Sequence, residues 1–261
     1  MKKTIYLLVF VIALFSCEKE SNIPSSTLPN PTNSITCVDN PNINFTSIGT
    51  PIGKFGECIK DIDGNIYKTV TIGTQTWMAE NLKVSKYNDG TPIPNVAENS
   101  QWQKNTTGAW CNYNNSDSLG KIYGKLYNWY AVSPTTNGNK SLCPKGWHVP
   151  TDVDWTVLTD YLGGEIVAGG KLKEVITSSW NIPNTDATNS SLFTGLPGLF
   201  RNNDGTYESI KQLGGWWSST ESKSDAAWIR YLDNTSGVLY RIIDGDKEGG
   251  VSVRCLKDVK N

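Results

Sequence analysis

The chain has 261 residues, 38% hydrophobic and 19% charged, so it is apolar enough to fold around a core rather than to remain disordered. Its 24 basic and 25 acidic residues lack the basic surplus of a nucleic-acid-binding protein, so no nucleic-acid partner is predicted. The single histidine, His148, argues against a histidine-rich zinc site, and we predict neither a metal nor a cofactor.

The first 16 residues have the pattern of an export signal. Lys2 and Lys3 precede an apolar run over residues 5–15, which is too short to span a bilayer and is typical of a secretory signal peptide. Ser16 followed by Cys17 resembles a bacterial lipobox, in which the cysteine is acylated and becomes the first residue. We therefore expect Cys17 to anchor the protein to the lipid bilayer, at the outer membrane or cell surface. The alternative is a plain signal peptide with an incidental cysteine.

The next segment, residues 17–56, is rich in Ser, Asn, Pro and Thr and poor in large apolar residues. Such a composition cannot bury enough surface to order itself, so it predicts a flexible tether. The folded domain is then predicted over residues 57–258.

The domain begins with signals for short strands. Residues 59–62 and 66–70 flank Asp63-Gly64-Asn65, which predicts a β-hairpin with a tight turn rather than a calcium-binding loop. Residues 76–82 are predicted to form a short turn of helix, and residues 125–132 a strand or a short helix.

Residues 150–163 carry the clearest helix pattern. Thr151 is suited to the N-cap, and Trp155, Leu158 and Leu162 recur on one face. A second, weaker helix is predicted over residues 168–176. The last third is predicted to be an antiparallel meander with strands at 216–219, 227–232, 238–243 and 251–256, so the fold class is α+β with one main helix.

Five cysteines follow Cys17, and an exported location permits disulfides. Our preferred pairs are Cys143–Cys255, closing the domain, and Cys37–Cys58, fixing the tether, which leaves Cys111 unpaired. Alternatively, several of these residues are simply buried thiols.

Five sequence blocks resemble the Fibrobacter succinogenes major paralogous domain. In order, they are residues 70–82, 123–129, 143–151, 215–221 and 252–255. The resemblance implies an exported bacterial lipoprotein for which no activity is established.

Residues 148–155 and 252–255 are more distantly similar to formylglycine-generating enzyme-like domains, which implies a C-type lectin-like fold. The chemistry of those relatives is not carried over. Cys255 has no neighbouring cysteine for oxidative catalysis, and neither residues 181–184 nor 216–219 supply the carboxylates of a calcium-dependent sugar site.

The function predicted on these grounds is a non-catalytic binding module for a glycan or a protein. Aromatic faces stack on sugar rings and amides bond to hydroxyl groups. The candidate ligand-binding residues share one loop; they are Trp102, Trp110, Asn112, Tyr113 and Asn114.

Two alternatives remain open. The first is a hydrolase or another enzyme, for which the available acids and bases are His148, Asp152, Asp154 and Glu221, although no nucleophile–base spacing supports them. The second is a structural component of a surface assembly.

Overall fold

The computed structural model describes residues 51–175, 179–198 and 200–259. The predicted signal peptide and most of the predicted tether, including Cys17 and Cys37, lie outside these residues. The strands are β1 (Lys54–Phe55), β2 (Ile59–Lys60), β3 (Ile66–Tyr67), β4 (Thr69–Ile72), β5 (Gln75–Met78), β6 (Trp110–Cys111), β7 (Leu126–Tyr127), β8 (Trp147–His148), β9 (Phe200–Arg201), β10 (Tyr207–Glu208), β11 (Leu213–Glu221), β12 (Ala226–Asp233), β13 (Leu239–Asp246) and β14 (Leu256–Lys257). The α-helices are α1 (Asn99–Trp102), α2 (Asp117–Tyr123), α3 (Trp129–Val132), α4 (Asp152–Tyr161) and α5 (Glu165–Leu172).

The largest sheet joins the two ends of the domain. It has five strands in the order β1-β4-β5-β14-β8, and each neighbouring pair is antiparallel. Strand β1 lies before residue 57, so the sheet begins a few residues ahead of the predicted domain boundary. The helical turn predicted over residues 76–82 is wrong, because Trp77 and Met78 pair with Val70 and Thr69 of β4 and thereby form a central strand.

The last third contains a meander of three strands, β11-β12-β13, instead of the four that were predicted. After β13 the chain leaves this sheet. Val251 forms a bridge with Tyr127, Ser252 forms one with Trp216, and Leu256 then enters the larger sheet between β5 and β8. The fourth predicted strand therefore closes the domain instead of extending the meander.

Local sequence signals determine where helix α4 begins. Thr151 caps α4 as predicted: its hydroxyl accepts from the Asp154 backbone, while the Asp154 carboxylate accepts from the Thr151 N–H at 2.8 Å. Helix α5 lies earlier than the predicted 168–176. It ends at Leu172 because Lys173 is extended and its ammonium donates to the carbonyls of Thr185, Asp233 and Ser236.

The tryptophans belong mainly to the core. Seven of the ten, all of which lie in the described ranges, are fully buried. Trp155 on α4 lies 4.8 Å from Trp77 and 6.1 Å from Trp216, between the centres of the rings, so the helix is packed against both sheets by aromatic contacts. The abundance of tryptophan is thus chiefly a property of the fold.

The bonding states of the described cysteines are consistent with the preferred disulfide pairs. Cys143 and Cys255 form a disulfide between residues 112 positions apart, and both are fully buried. Cys58 is disulfide-bonded, while the predicted pairing with Cys37 concerns a residue outside the described part. Cys111 carries a free, buried thiol, and burial raises its pKa, as expected of an inert structural cysteine.

The predicted hairpin is confirmed by the pairing of β2 with β3. Asp61 organises its turn by accepting hydrogen bonds from the backbone of Asp63 and of Asn65 and from the hydroxyl of Tyr67. These are the bonds of a turn anchored by a carboxylate. No helix in the described residues is long and apolar enough to cross a membrane.

Candidate functional site

The loop predicted to bind ligand is largely packed into the domain. Trp102 is only 1% exposed and lies in a small core with Cys111 and Leu126, and the guanidinium of Arg201 covers its ring at 4.4 Å. Tyr113 is also buried, edge-on to another ring. The expectation that Trp102 and Tyr113 offer stacking faces is therefore corrected, because their apolar area is used in the core.

The other three candidates of this loop differ in their exposure. The indole of Trp110 donates to the carbonyl of Ile93, and the ammonium of Lys125 lies 4.2 Å above the ring, so its face is occupied. Asn112 is buried and donates to a neighbouring carboxylate. Asn114 is exposed. A ligand role for Trp110 and Asn114 stays a prediction.

An open cleft lies on one face of the β11-β12-β13 sheet. It is a cleft of about 640 Å³, within the range of small-molecule sites. It is lined by the β9-β10 hairpin, by the end of β13 and by the segment that follows β13, and Arg201 of the hairpin forms a β-bridge with Gly250 of that segment. We refer to it as the sheet cleft. The residues that line it are Phe200, Arg201, Asn202, Asn203, Asp204, Glu208, Leu213, Ile229, Tyr231, Asp233, Ile242, Asp244, Gly245, Asp246, Gly249 and Val251.

The strand register explains the apolar floor of the sheet cleft. Residues directly opposite each other in neighbouring strands project from the same face. Ile229 pairs with Ile242, and Tyr231 pairs with Tyr240, whose ring stacks on it at 4.5 Å and 8°. Tyr231 is therefore held half-buried in the floor, with one face of its ring covered by Tyr240.

Two glycines allow neighbouring side chains to approach this face closely. A Cβ at Gly215 would come within 2.3 Å of the Phe200 ring, and one at Gly245 within 2.4 Å of the Ile229 side chain. Any larger residue would displace the floor, because real Cβ contacts are not this short. The absence of these two side chains thus shapes the cleft.

The rim of the sheet cleft is acidic. Its five carboxylates lie on the β9-β10 hairpin, at the end of β12 and on β13; they are Asp204, Glu208, Asp233, Asp244 and Asp246. Within the described chain, Asp244 is paired with the ammonium of Lys223. Asp246 accepts from the amide of Asn203 at 3.0 Å, and burial, followed by the charges of Glu248, Asp225 and Asp244, raises its pKa. The rim therefore has negative charge in excess.

Apart from Lys223, two nearby cations are directed away from this rim. Arg201 is 1% exposed, and its guanidinium donates to the carbonyls of Val96, Ala97 and Gly205 at 2.6–2.9 Å. Lys247 follows Asp246 in the chain, but its buried ammonium donates to Glu221 at 2.6 Å. Neither charge is positioned to neutralise a ligand carboxylate or phosphate.

His148 is held between two carboxylates. Its Nδ1 lies 2.6 Å from Oδ1 of Asp258, and its Nε2 lies 3.4 Å from Oδ2 of Asp154. The hydrogen bond to Asp154 and then that to Asp258 raise the pKa of His148 against the opposing effect of burial. Both ring nitrogens are engaged, so His148 of β8 links Asp258, which follows β14, to Asp154 of α4.

The remaining acid candidates are also engaged in ion pairs. Asp152 lies 2.8 Å from the buried Arg230 and 2.6 Å from Arg241, and it thereby joins α4 to the sheet. Burial opposes ionisation, but the hydrogen bond and charge of Arg241 and the charge of Arg230 keep the pKa of Asp152 below its usual value. Glu221 accepts from Lys247. These contacts favour structural roles for the four residues.

The sheet cleft was not anticipated from the sequence, although part of its signal was present. Ile229, Tyr231 and Asp233 alternate along β12, as residues of one sheet face do. Asp244 and Asp246 flank a glycine in the same way. What the sequence lacked was any indication that Phe200 and the β9-β10 hairpin would lie across that face.

The fold and the cleft define a disulfide-bonded α+β domain with an open, acidic, ligand-sized cleft. The model of the Fibrobacter succinogenes major domain matches residues 70–257. The chain belongs to this family, and the recognition made from the five sequence blocks is confirmed. The match runs from β4 to β14 and includes the whole sheet cleft. No curated protein and no solved structure matches the chain.

Proposed function

We propose that this chain is an exported lipoprotein, anchored through acylated Cys17, whose domain is a non-catalytic glycan-binding module. The observation that carries the binding role is the sheet cleft, which combines Phe200, Tyr231 and aliphatic side chains with amide and carboxylate groups on its rim. Sugar rings have apolar C–H faces that stack on aromatic rings, and their hydroxyl groups bond to amides and carboxylates. Anchoring at the cell surface is supported by the signal peptide pattern and the lipobox.

The non-catalytic part of the proposal is supported by the ion pairs that the candidate acids and bases form. His148 bridges two carboxylates, and Asp152 bridges two arginines, so their interactions join secondary-structure elements to one another. These residues lie apart from the lining of the sheet cleft.

We also propose that the domain has a C-type lectin-like fold. This assignment is supported by the closing strand β14, which lies between β5 and β8 and brings the last residues beside the segment that opens α4. It is further supported by the disulfide from Cys143 to Cys255 just before that strand.

The binding role is tested with the full-length chain in detergent on an array of bacterial and plant oligosaccharides, followed by titration calorimetry on each hit. We expect Tyr231→Ala to weaken binding by about tenfold, as the loss of one aromatic contact implies. Tyr161→Ala is the matched control, because this tyrosine is exposed on α4 and is not among the residues that line the sheet cleft. Equal losses in the two variants, or no hit on the array, would remove the support for this site.

A further inference from the structure

A groove beside helix α5 lies next to the point where the described chain begins. It has a volume of about 370 Å³, and we refer to it as the α5 groove; its lining residues are Ile166, Val167, Lys171, Asp186, Thr188 and Ser190. We infer that residues 43–48, which precede the described part of the chain, dock into the α5 groove. The free part of the predicted tether then ends near residue 42 instead of residue 56, which holds the domain closer to its anchor.

The α5 groove presents apolar surface that the described residues leave uncovered. Ile166 is 78% exposed and Val167 is 44% exposed, although the opposite face of the same helix is buried. The two charged groups of the groove have opposite signs, and the ammonium of Lys171 already donates to the carbonyl of Leu162 at 2.7 Å. An uncharged segment with apolar side chains therefore suits this surface better than a charged ligand.

The beginning of the described chain is fixed against one wall of the α5 groove. The N–H of Ile52 donates to the carbonyl of Ser190 at 2.7 Å. Gly53 then crosses Ser191 so closely that a Cβ there would lie 2.0 Å from the Ser191 carbonyl oxygen, so only glycine allows this approach. Because Ser190 lines the groove, the residues before Ile52 join the described part at the edge of the groove.

The sequence before the described part supplies an occupant of matching chemistry. Ile43, Phe45 and Ile48 are large apolar residues, and no charged residue occurs in this segment or between it and β1. Phe45 is the only aromatic residue between Cys17 and β1. An extended chain covers about 3.3–3.6 Å per residue, so Ile48 and Phe45 can extend about 14 Å and about 25 Å from the Ser190 contact. Both side chains are thus within reach of a groove that begins at that contact.

The bonding of Cys58 independently returns the preceding segment to the domain. Cys58 is disulfide-bonded. The other cysteines of the described part are a free thiol and a separate disulfide; they are Cys111, Cys143 and Cys255. The partner of Cys58 is therefore Cys17 or Cys37, and either pairing closes a loop that contains residues 43–48. A segment in a closed loop loses less conformational entropy on docking than a free tail does.

Chymotrypsin tests the docking, because Phe45 must leave the α5 groove before the protease can cleave after it. In the folded full-length chain in detergent, this cleavage should be at least about tenfold slower than in a synthetic peptide of residues 38–50, since cleavage follows the undocked fraction. Ile166→Asp places a charge in the groove and should raise the rate by about tenfold. Val153→Asp is the matched control, because this residue is also exposed in the first turn of a helix, α4, and does not line the groove.

Photo-crosslinking identifies the surface that the segment occupies. With p-benzoylphenylalanine in place of Phe45, irradiation of the full-length chain should link this position to helix α5 or to residues 186–190. A mixture of isotopically light and heavy protein distinguishes links within one chain from links between two copies.

Each result supports the docking or overturns it. Slow cleavage that is accelerated by Ile166→Asp but not by Val153→Asp, together with a link to α5 within one chain, is the expected result. Cleavage as fast as in the peptide, or equal acceleration by the two variants, would overturn the inference. Links between light and heavy chains would assign the groove to a second copy, and links to the sheet cleft would place the segment there; either would also overturn it. None of these results depends on the proposed glycan-binding role, which the array tests separately.

Discussion

The disulfide between Cys143 and Cys255 is predicted to supply a large share of the stability of the domain. The perturbation is the double variant Cys143→Ala/Cys255→Ala, which removes the covalent link between the segment before β8 and the segment before β14. A double mutant is preferable to a reducing agent, because Cys58 is also disulfide-bonded and would be reduced at the same time.

The magnitude follows from the size of the loop that the link closes. The two cysteines are separated by 112 positions, and the chain-entropy relation gives about 4.8 kcal/mol for a loop of that length. For a domain of this size, each kcal/mol corresponds to roughly 2–4 °C in Tm, so we expect a fall of about 10–20 °C.

The assay is equilibrium unfolding in urea, monitored by the fluorescence of the buried tryptophans. The double variant should have a lower midpoint and also a larger m value, because its unfolded chain is less constrained and exposes more surface. Cys111→Ala is the matched control, since it removes one buried sulfur without removing a link.

A specific result would refute this reasoning. If the double variant lost no more than twice the free energy lost by Cys111→Ala, and its m value stayed unchanged, the effect would be one of packing. The constraint on the unfolded chain would then contribute nothing measurable.

Two further predictions concern ion pairs of helix α4. Asp152→Ala should lower the free energy of unfolding by about 3–5 kcal/mol in urea titrations, because it leaves the buried guanidinium of Arg230 unpaired. His148 has a raised pKa in the folded state through its bonds to Asp154 and Asp258, so its stabilising contribution is complete below the ordinary value of 6.5. That contribution is lost as the pH rises through the folded-state pKa, and Tm measured across pH 5–9 should show this decline in the native chain but not in His148→Gln.

Each of these predictions has its own control. For Asp152, the exposed Asp160→Ala on the same helix should change the stability little, and an equal loss would contradict the ion-pair argument. For His148, the variant Asp258→Asn should reduce the pH dependence while retaining the imidazole. An unchanged profile in both variants would show that another group is responsible.

Interactions between residues close in the sequence determined several local features of this protein. The cap at Thr151, the turn in the β2-β3 hairpin and the aromatic face of α4 depend on residues a few positions apart, so their patterns were readable in the sequence. The five family blocks and the pairing of Cys143 with Cys255 were likewise recognised and confirmed.

The tertiary structure decided the features that depend on partners distant in the chain. Gln75–Met78 became a strand because β4 and β14 pair with it, and Lys173 ended α5 by reaching carbonyls up to 63 residues away. Trp102 was as plausible a ligand residue as Tyr231 by composition. Its burial against Arg201, and the crossing of Phe200 over the face of β11-β12-β13, result from packing between elements remote in the sequence. Residue type sets what a side chain can bind, but long-range packing alone decided which aromatic rings remain available at the surface.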